Sequence, residues 1–392
     1  MKIAVFSESY KPYISGVTRS IETFEKELTL LGHEVFVFAP DYPGYKDNNK
    51  KIIRFPSLPT KYPGFRIAIP MPNYIPGISF DVIHSNSIFQ LGILAMLYAR
   101  IKRIPFVYTF HTMFTEYLHN VPVPKSISFP IVSFLIKSFC NRCQQIIVPT
   151  AKTKKYLESF GVKAPIEVLP SGIDMSFVEK ASSCGIRENL GIPKEAPVLV
   201  FVGRLSKEKN IPFLFDMFKI VLGSVGAIHP SAGSGQVKLP VLLIVAGGPM
   251  EKEYKQMVLD MGISKNVVFA GQLAYPEVLN YYKAGDIFVF SSKTETQGLV
   301  VAEAKACGLT AVALDAQGIS ECIHDGADGF LLPENKQMFA DKILLLLQNH
   351  DLRSAMSRTA RQNAVNEFSS AILAKKLELI YNSVSSSERG KR

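Results

Sequence analysis

Short apolar runs recur along the whole chain, and amphipathic stretches with helical spacing separate them. A strand buried on both faces appears in a sequence as a continuous apolar run, whereas a helix repeats its apolar positions about every three to four residues. The runs are KIAVF, HEVFVFAP, KIIRFPS, DVIHSNS and PFVYTFHT in the first half, then APVLVFVG, VLLIVAGGP, NVVFAGQL and DIFVFSS in the second. This alternation predicts an α/β protein with two Rossmann-like, doubly wound domains that face a cleft.

The length of the chain supports two domains, because 392 residues exceed what one hydrophobic core usually holds. We expect an N-terminal domain over residues 1–180 and a C-terminal domain over residues 181–368. A final helix, at about 369–392, is expected to pack back onto the first domain. The proline-rich stretch 56–76 should be an ordered loop or edge region, and residues 227–238 should be a flexible insertion without assigned chemistry.

The positive charge of the chain is concentrated in its first half. Residues 1–190 hold 22 Lys and Arg against 14 Asp and Glu, or +8, whereas residues 191–392 hold 22 against 20, or +2. Such a basic half is expected to meet an anionic partner, either a lipid surface or a nucleic acid, unless it serves only solubility. The N-terminus has no signal-like apolar stretch, and no window reaches the roughly twenty apolar residues of a membrane span. We therefore expect a cytoplasmic protein that can lie on the inner face of the cell membrane.

The stretch from Phe288 to Gly308 combines a strand end, a polar turn and a helix start. The apolar run ends near Phe290, the turn carries Glu295 and Gly298, and a helix is expected from about Leu299. Unpaired amides at a helix start can bind an anion, and Gly298 would let it approach. Glu303 lies inside the helix, so it and Glu295 are expected to flank one ligand and not to share a helical face. A solvated position for Glu303 is the alternative.

Other strand ends carry residues suited to the same kind of ligand. Arg204 and Lys209 follow APVLVFVG, and an Arg with a Lys suits a diphosphate. His111 lies at the carboxyl end of PFVYTFHT, where open parallel sheets collect ligands, although a lone histidine is more often a structural residue. Gly16 precedes the first helix without a GxGxxG fingerprint, which disfavours NAD or FAD.

Taken together, these motifs resemble those of the retaining GT-B glycosyltransferases of family 4. The resemblance runs over nearly the whole chain and is most specific in the two glutamates separated by seven residues. The matching positions are Gly16, His111, Gly203-Arg204 with Lys209, Gly247-Gly248-Pro249, and Glu295 to Glu303. It implies a nucleotide sugar, with a UDP-sugar preferred, as co-substrate and neither a metal nor a further cofactor.

The resemblance also assigns roles. Arg204 and Lys209 would bind the donor diphosphate and stabilise the leaving nucleotide, together with Gly203, Gly247 and Gly248. Glu303 would hold the ribose. Glu295 and the backbone of Thr296, Gln297, Gly298 and Leu299 would hold the sugar and phosphate. Gly16 would let its loop approach the donor, and His111 would touch the sugar.

The acceptor is expected to be a membrane lipid. Residues 292–298, 111–122 and the proline-rich stretch look most similar to diacylglycerol glycosyltransferases, and the helix-like segment 125–142 can lie in a membrane interface or against the core. The candidate acceptor and membrane residues are Lys61, Arg66, Lys125, Phe134 and Lys137. A soluble sugar, an inositol phosphate or a lipid-linked saccharide, with GDP-mannose as donor, is the alternative. Nucleic-acid binding is disfavoured because the two glutamates would repel phosphates, and no protein partner can be inferred.

Overall fold

The structure is a computed structural model that describes residues 1–60, 65–113, 124–228 and 239–389. The chain forms two compact units, one of Met1–Gly172 with Ser370–Arg392 and the other of Ile173–Ser369. The N-terminal segment of the first unit thus ends at Gly172, whereas the boundary predicted from the sequence lies at residue 180.

The first unit is built on a seven-stranded parallel sheet with the order β3-β2-β1-β6-β7-β8-β9. Two further short strands, β4 and β5, pair with each other as an antiparallel ribbon. The strands are β1 Lys2–Phe6, β2 Glu34–Pro40, β3 Ile52–Phe55, β4 Ser57–Pro59, β5 Arg66–Ala68, β6 Val82–Ser85, β7 Phe106–Thr109, β8 Gln145–Val148 and β9 Ile166–Val168. The ribbon lies inside the stretch that was predicted to be a loop or edge.

Helices cover both faces of this sheet, which explains the continuous apolar strands. They are α1 Gly16–Leu30, α2 Gln90–Lys102, α3 Lys125–Cys140 and α4 Ala151–Ser159. In β1, Ile3 and Val5 pack into the core beneath α1, whereas Ala4 and Phe6 pack into the core shared with α2, α3 and α4. Successive strand residues point to opposite faces, so two cores require apolar residues at every position.

The second unit repeats the design with a six-stranded parallel sheet in the order β12-β11-β10-β13-β14-β15. Its strands are β10 Val198–Arg204, β11 Val241–Gly247, β12 Val267–Phe269, β13 Ile287–Phe290, β14 Thr310–Leu314 and β15 Gly329–Leu332. Its helices are α5 Met175–Lys180, α6 Ile186–Asn189, α7 Ile211–Ile228, α8 Glu251–Asp260, α9 Val278–Lys283, α10 Leu299–Ala306, α11 Lys336–Gln348 and α12 His350–Phe368. Helix α7 continues to Ile228, so the start of the predicted insertion is helical, while residues 229–238 lie outside the described part.

The last helix, α13 Ser370–Arg389, belongs to the first unit. The Ser370 hydroxyl donates to Glu27 of α1 at 2.7 Å, and Nε2 of His33 lies at hydrogen-bond distance, 2.9 Å, from a carboxylate oxygen of Glu378. Tyr381 is fully buried against the same unit. The end of the chain therefore completes the core that covers one face of the first sheet.

Candidate functional site

In the sheet of the second unit, the order in which successive strands are added reverses beside β10. Strands β11 and β12 lie on one side of β10, and β13, β14 and β15 lie on the other. Ligands of open parallel sheets bind outside the carboxyl ends of the strands at such a point. Arg204 is the last residue of β10, Lys209 follows that strand, and Glu295 and Gly298 follow β13. The strand order therefore brings these residues to one edge of the sheet.

An ion pair joins the two segments directly. The Lys209 ammonium contacts the Glu295 carboxylate at hydrogen-bond distance, and the two side chains are only 18% and 19% exposed. The Ser291 hydroxyl, which follows β13, donates to the Lys209 carbonyl at 2.7 Å and to the Asn210 carbonyl at 3.0 Å. The cation is therefore held in place before any ligand arrives.

Arg204 ends β10 next to Gly247 of β11, its partner in the strand register. Its side chain is exposed and forms no salt bridge within the described residues. A Cβ on Gly248 would lie 2.6 Å from the carbonyl oxygen of Leu205, so only glycine lets this turn pack against the segment after Arg204. The turn therefore fixes the backbone that carries the arginine.

The start of α10 provides amides at the same edge. Gly298 precedes the helix with φ of 82°, a left-handed conformation that favours glycine. Thr296 is partly buried and Gln297 is buried in the turn, while Leu299 is the first helical residue. The amides of a first helical turn carry partial positive charge, which suits a phosphate.

Glu303 lies in the second turn of α10 and is 1% exposed. The Tyr282 hydroxyl of α9 donates to its Oε2 at 3.1 Å. The solvated position considered from the sequence is therefore wrong, because the carboxylate is buried and hydrogen-bonded. A carboxylate fixed in this way is suited to accept hydrogen bonds from ligand hydroxyls.

A second, fully buried ion pair supports the turn before α10. Lys305 of α10 contacts Asp328 at 2.7 Å and donates to the Cys322 carbonyl at 2.5 Å. The Cys322 thiol in turn donates to the Gln297 carbonyl at 2.8 Å. Burial alone would raise the pKa of Asp328, but hydrogen bonds from Lys305, Asn363 and His324 bring it below the ordinary value. The chain of contacts links the buried pair to the backbone beside Gly298.

In the sheet of the first unit, the strand order reverses between β1 and β6. Gly16 is the exposed first residue of α1, and a Cβ placed there would meet nothing within 4 Å. The Ser15 side chain caps the helix by accepting from the Thr18 amide at 3.1 Å. No described residue near position 16 would clash with a larger side chain there. A glycine at this position is therefore consistent with close approach of a ligand to the backbone.

His111 follows β7 at the same edge, and its Nε2 lies 2.7 Å from Oδ1 of Asn86, which follows β6. Burial lowers the pKa of His111 to about 4, so the ring is neutral at pH 7. With Nε2–H donating to Asn86, the other nitrogen, Nδ1, is an acceptor. The ring can therefore accept a hydrogen bond from a hydroxyl but cannot act as a cation.

A buried hydrogen-bond chain lies beneath this histidine. His84 of β6 is 2.6 Å from the Tyr381 hydroxyl through Nδ1 and 2.6 Å from the Thr109 hydroxyl through Nε2. Burial lowers the pKa of His84 to about 3, so this ring is also neutral. The chain connects α13 to the strand that precedes His111.

Asn86, Glu8 and Gly318 were not among the site residues predicted from the sequence. Asn86 directly follows a buried strand beside β1, a placement that should have marked it. Glu8 follows β1, is buried, and accepts from the Leu91 amide at 2.7 Å. Gly318 donates to the Glu295 carbonyl at 2.9 Å, and a Cβ on it would lie 2.2 Å from the Thr296 carbonyl oxygen. No local signal distinguished Gly318 from other turn glycines.

The candidate membrane residues have different surroundings. Phe134 is 67% exposed on α3, and Lys137 is exposed on the same helix. Arg66 is partly buried, because its guanidinium donates to the Ser57 hydroxyl and carbonyl at 2.7 Å each. Lys125 begins α3, and Lys61 lies outside the described residues, as do positions 114–122. Arg66 therefore has a structural partner set within the ribbon, and its contact with a membrane stays a prediction.

Two family models match most of the chain between them. The model described as Glycosyltransferase Family 4 matches residues 14–177, and the one described as Glycosyl transferases group 1 matches residues 185–363. Among the helices of the described residues, none combines the length and apolar character needed to cross a membrane.

Several named proteins are similar over most of their length. An alpha-monoglucosyldiacylglycerol synthase of Streptococcus pneumoniae is 31% identical, over 84% of this chain and 75% of its own. The protein of the same name from Acholeplasma laidlawii is 28% identical, over 97% of this chain and 96% of its own. A GDP-mannose-dependent alpha-mannosyltransferase of Corynebacterium glutamicum is 27% identical, over 85% and 76%.

A solved structure shares the fold. The Anabaena protein Alr3699/HepE, crystallised with UDP, superposes with a TM-score of 0.77 at 20% identity, over 98% of this chain and all of that one. At this identity the likeness concerns architecture and not substrate.

Proposed function

The chain belongs to the GT-B glycosyltransferases of family 4, and from that premise we propose that it transfers glucose from UDP-glucose to 1,2-diacylglycerol. The product would be an α-glucosyl diacylglycerol, formed with retention of configuration and without a metal. The similarity to two alpha-monoglucosyldiacylglycerol synthases supports this choice of sugar and acceptor. The observation that carries the proposal is the Lys209–Glu295 pair, which stands at the strand ends immediately before the start of α10.

We assign the donor to the second unit. Lys209 has three N–H donors, so it can keep its bond to Glu295 while it donates to a diphosphate oxygen. Arg204 would grip two further oxygens, and the α10 amides after Gly298 would bind a phosphate. Glu303 would accept from the ribose hydroxyls, and Glu295 would accept from the sugar. Each of these residues thus has a partner in a nucleotide sugar.

This arrangement can accelerate departure of the nucleotide. When the bond between the sugar and the diphosphate breaks, negative charge grows on the leaving phosphate oxygen. Cations and amides that are already in place stabilise that charge without reorganisation, and losing one such group typically costs about 10²–10³-fold in rate. In the proposed retaining reaction the acceptor hydroxyl attacks the face from which the diphosphate leaves. Its proton passes to the departing phosphate oxygen.

The first unit would contribute Gly16 and His111. We assign to Gly16 a close approach of its backbone to the donor. A neutral His111 would accept a hydrogen bond from a sugar hydroxyl through Nδ1, while Asn86 holds the ring orientation. The histidine would therefore position the sugar and not neutralise charge.

The acceptor would be taken from the cytoplasmic face of an anionic membrane, to which the protein binds peripherally. Residues 1–190 carry the excess of positive charge, and Phe134 is exposed on a helix that also carries Lys137. Peripheral binding to an anionic membrane combines basic residues, which attract the lipid headgroups, with exposed apolar residues, which enter the interface.

The test is a transfer assay with radiolabelled UDP-glucose and diacylglycerol in vesicles that contain phosphatidylglycerol. Wild type should form labelled lipid. Lys209→Met should lower kcat by about 10²-fold or more. Lys207→Met is the matched control, because Lys207 is exposed in the same turn. No labelled lipid from any common donor, or equal effects of the two variants, would refute the proposal.

A second candidate keeps the enzyme class but changes both substrates. The similarity to a GDP-mannose-dependent alpha-mannosyltransferase favours GDP-mannose as a donor. Its acceptor would be a soluble sugar, an inositol phosphate or a lipid-linked saccharide. A thermal-shift screen of UDP-glucose, UDP-galactose and GDP-mannose separates the two, since the true donor should stabilise the protein most strongly.

A further inference from the structure

The turn after β14, residues 315–318, lies against the segment that we assign to the sugar of the donor. The Gly318 amide donates to the Glu295 carbonyl at 2.9 Å. The next residue, Ile319, packs beside Gly298, because a Cβ built on that glycine would lie 3.5 Å from the Ile319 side chain. The two contacts are made to the first and the last residue of the segment 295–298. The β14 turn therefore borders the candidate donor site along the whole of this segment.

Gln317, within this turn, has an unusual backbone conformation. Its φ is 44°, in the left-handed region that Gly and Asn adopt far more readily than Gln. Among the described residues of the second unit, Asn210, with φ of 51°, is the other non-glycine residue in this region. Such residues are costly to the fold, and they cluster at binding sites. Both positions follow strands whose carboxyl ends form the candidate site.

The side chains of these two residues differ in their contacts. The Asn210 carboxamide donates to Glu334 at 2.9 Å, so a contact within the unit accounts for its presence. Within the described part of the chain, the Gln317 carboxamide forms no hydrogen bond, and neither of its polar atoms is enclosed in the half-buried residue. The Gln317 carbonyl accepts from the Ser320 hydroxyl at 2.8 Å, which holds the backbone of the turn. The turn thus presents a fixed backbone with a carboxamide that a ligand can reach.

The charge of the turn favours hydroxyl groups over phosphates as its ligand. Residues 315–318 include one carboxylate, Asp315, and neither Lys nor Arg. A carboxylate repels a phosphate but can accept hydrogen bonds from sugar hydroxyls. The Gln317 carboxamide has one acceptor oxygen and two N–H donors, so it can pair with two neighbouring hydroxyls at once. This chemistry fits the hexose of a nucleotide sugar and not its diphosphate.

We propose that Gln317 hydrogen-bonds hydroxyl groups of the donor hexose and thereby determines which sugar the second unit selects. Glucose and galactose have the same size and differ in the orientation of one hydroxyl. Packing alone discriminates weakly between such molecules, whereas a hydrogen-bonding group placed at the hydroxyl discriminates well. The proposal rests on the proposed function for the presence of a sugar beside Glu295, and it makes no use of the acceptor.

The first experiment measures donor binding by isothermal titration calorimetry without an acceptor. The ligands are UDP, UDP-glucose, UDP-galactose, GDP and GDP-mannose, and the probe is the sugar nucleotide that wild type binds most tightly. Gln317→Ala should weaken binding of this probe by about 3–10-fold, the usual effect of losing a hydrogen bond between neutral groups, and should leave binding of its nucleoside diphosphate unchanged. The affinity ratio between UDP-glucose and UDP-galactose should move towards one. Gln348→Ala is the matched control, because Gln348 is exposed at the end of α11.

Three results would overturn the proposal. Unchanged binding of the probe would show that Gln317 does not contact the sugar. Equal weakening of the probe and of its nucleoside diphosphate would place the residue at the phosphates. Wild type that binds no sugar nucleotide would remove the ligand altogether. Failure to form labelled diacylglycerol would count against the proposed function alone, since this experiment contains no acceptor.

The second experiment separates sugar binding from folding. Glycine adopts the left-handed backbone more readily than glutamine, so Gln317→Gly should raise Tm or leave it unchanged. The same variant should weaken binding of the probe as much as Gln317→Ala does. A residue that serves only the turn would give the reverse pattern, a lower Tm with unchanged binding of the sugar nucleotide, and that result would also overturn the proposal.

Discussion

The buried pair of Lys305 and Asp328 offers a quantitative test of how the second unit holds its candidate site. Lys305→Met removes the ammonium and keeps most of the length of the side chain. The Asp328 carboxylate would then remain buried with hydrogen bonds from Asn363 at 2.8 Å, from the backbone amide of His324 at 2.9 Å and from the His324 ring at 3.0 Å. The variant therefore leaves a partly satisfied negative charge in the core.

The expected cost follows from that geometry. Breaking a buried ion pair by removing one partner costs about 3–5 kcal/mol, and the remaining hydrogen bonds from Asn363 and His324 favour the lower end, about 3 kcal/mol. For a unit of this size each kcal/mol lowers Tm by about 2–4 °C, so Tm should fall by about 6–12 °C.

The pH dependence has a definite sign. The pKa of Asp328 is lowered in the folded state, so the pair contributes its full stability above the ordinary Asp pKa. That contribution is lost as pH falls through the folded pKa. The difference between wild type and Lys305→Met should therefore shrink in acid.

Thermal and urea unfolding followed by circular dichroism measure this effect. Lys265→Met is the control, because Lys265 is exposed in the same unit. The double variant Lys305→Met/Asp328→Leu should recover most of the lost stability, since apolar replacements of both partners remove the buried charge. The reasoning is refuted if Lys305→Met unfolds within about 1 kcal/mol of wild type, or if the double variant is no more stable than the single one.

Three further predictions concern single residues. Arg204→Gln should leave Tm nearly unchanged, because the side chain is exposed, and should lower kcat in the transfer assay by about 10²-fold. His111, with a pKa of about 4, should add no ionisation to kcat/KM between pH 8 and 5; an acid limb near 6.5 that disappears in His111→Asn would contradict this. His84 has a pKa of about 3, so below about pH 6.5 its ring binds a proton in the unfolded chain but not in the folded one, and it should by itself lower stability by about 1.4 kcal/mol for each pH unit of acidification. Urea unfolding at pH 7 and 5 should show this loss in wild type and a smaller one in His84→Asn.

The fold could be predicted from the sequence because its two sheets are parallel and covered on both faces. The buried positions of β1 must then be apolar, as Ile3, Ala4, Val5 and Phe6 are, and such runs stand out. The ribbon of β4 and β5 could not be predicted in the same way. Its register pairs Leu58 with Ile67, and both side chains are exposed, so no burial pattern marks it.

The candidate site could be predicted where chemistry directly follows a strand. Arg204 and Glu295 were identified in this way, and the strand order then placed their segments on one edge. Contacts that depend on distant parts of the chain could not be predicted. Gly318 packs against Thr296, and Asp328 pairs with Lys305, only because β14 and β15 add to the sheet beside β13.

The two units differ in how many of their charged groups are paired and in how much apolar surface they expose. This difference favours separate roles in binding the donor and the membrane. In the second unit Lys209 and Lys305 are paired with carboxylates inside the unit. Among the described residues, its large exposed apolar side chains are Leu239, Leu259, Met338 and Leu345, whereas the first unit exposes many more, including those along one face of α2 and one face of α3. The first unit also carries most of the excess positive charge. A unit that exposes few apolar side chains suits a small polar donor that arrives in solution. A basic and partly apolar surface instead suits contact with an anionic membrane, whose interface is also partly apolar. The membrane should therefore contact the first unit, and variants that abolish vesicle binding should leave UDP binding by the second unit intact.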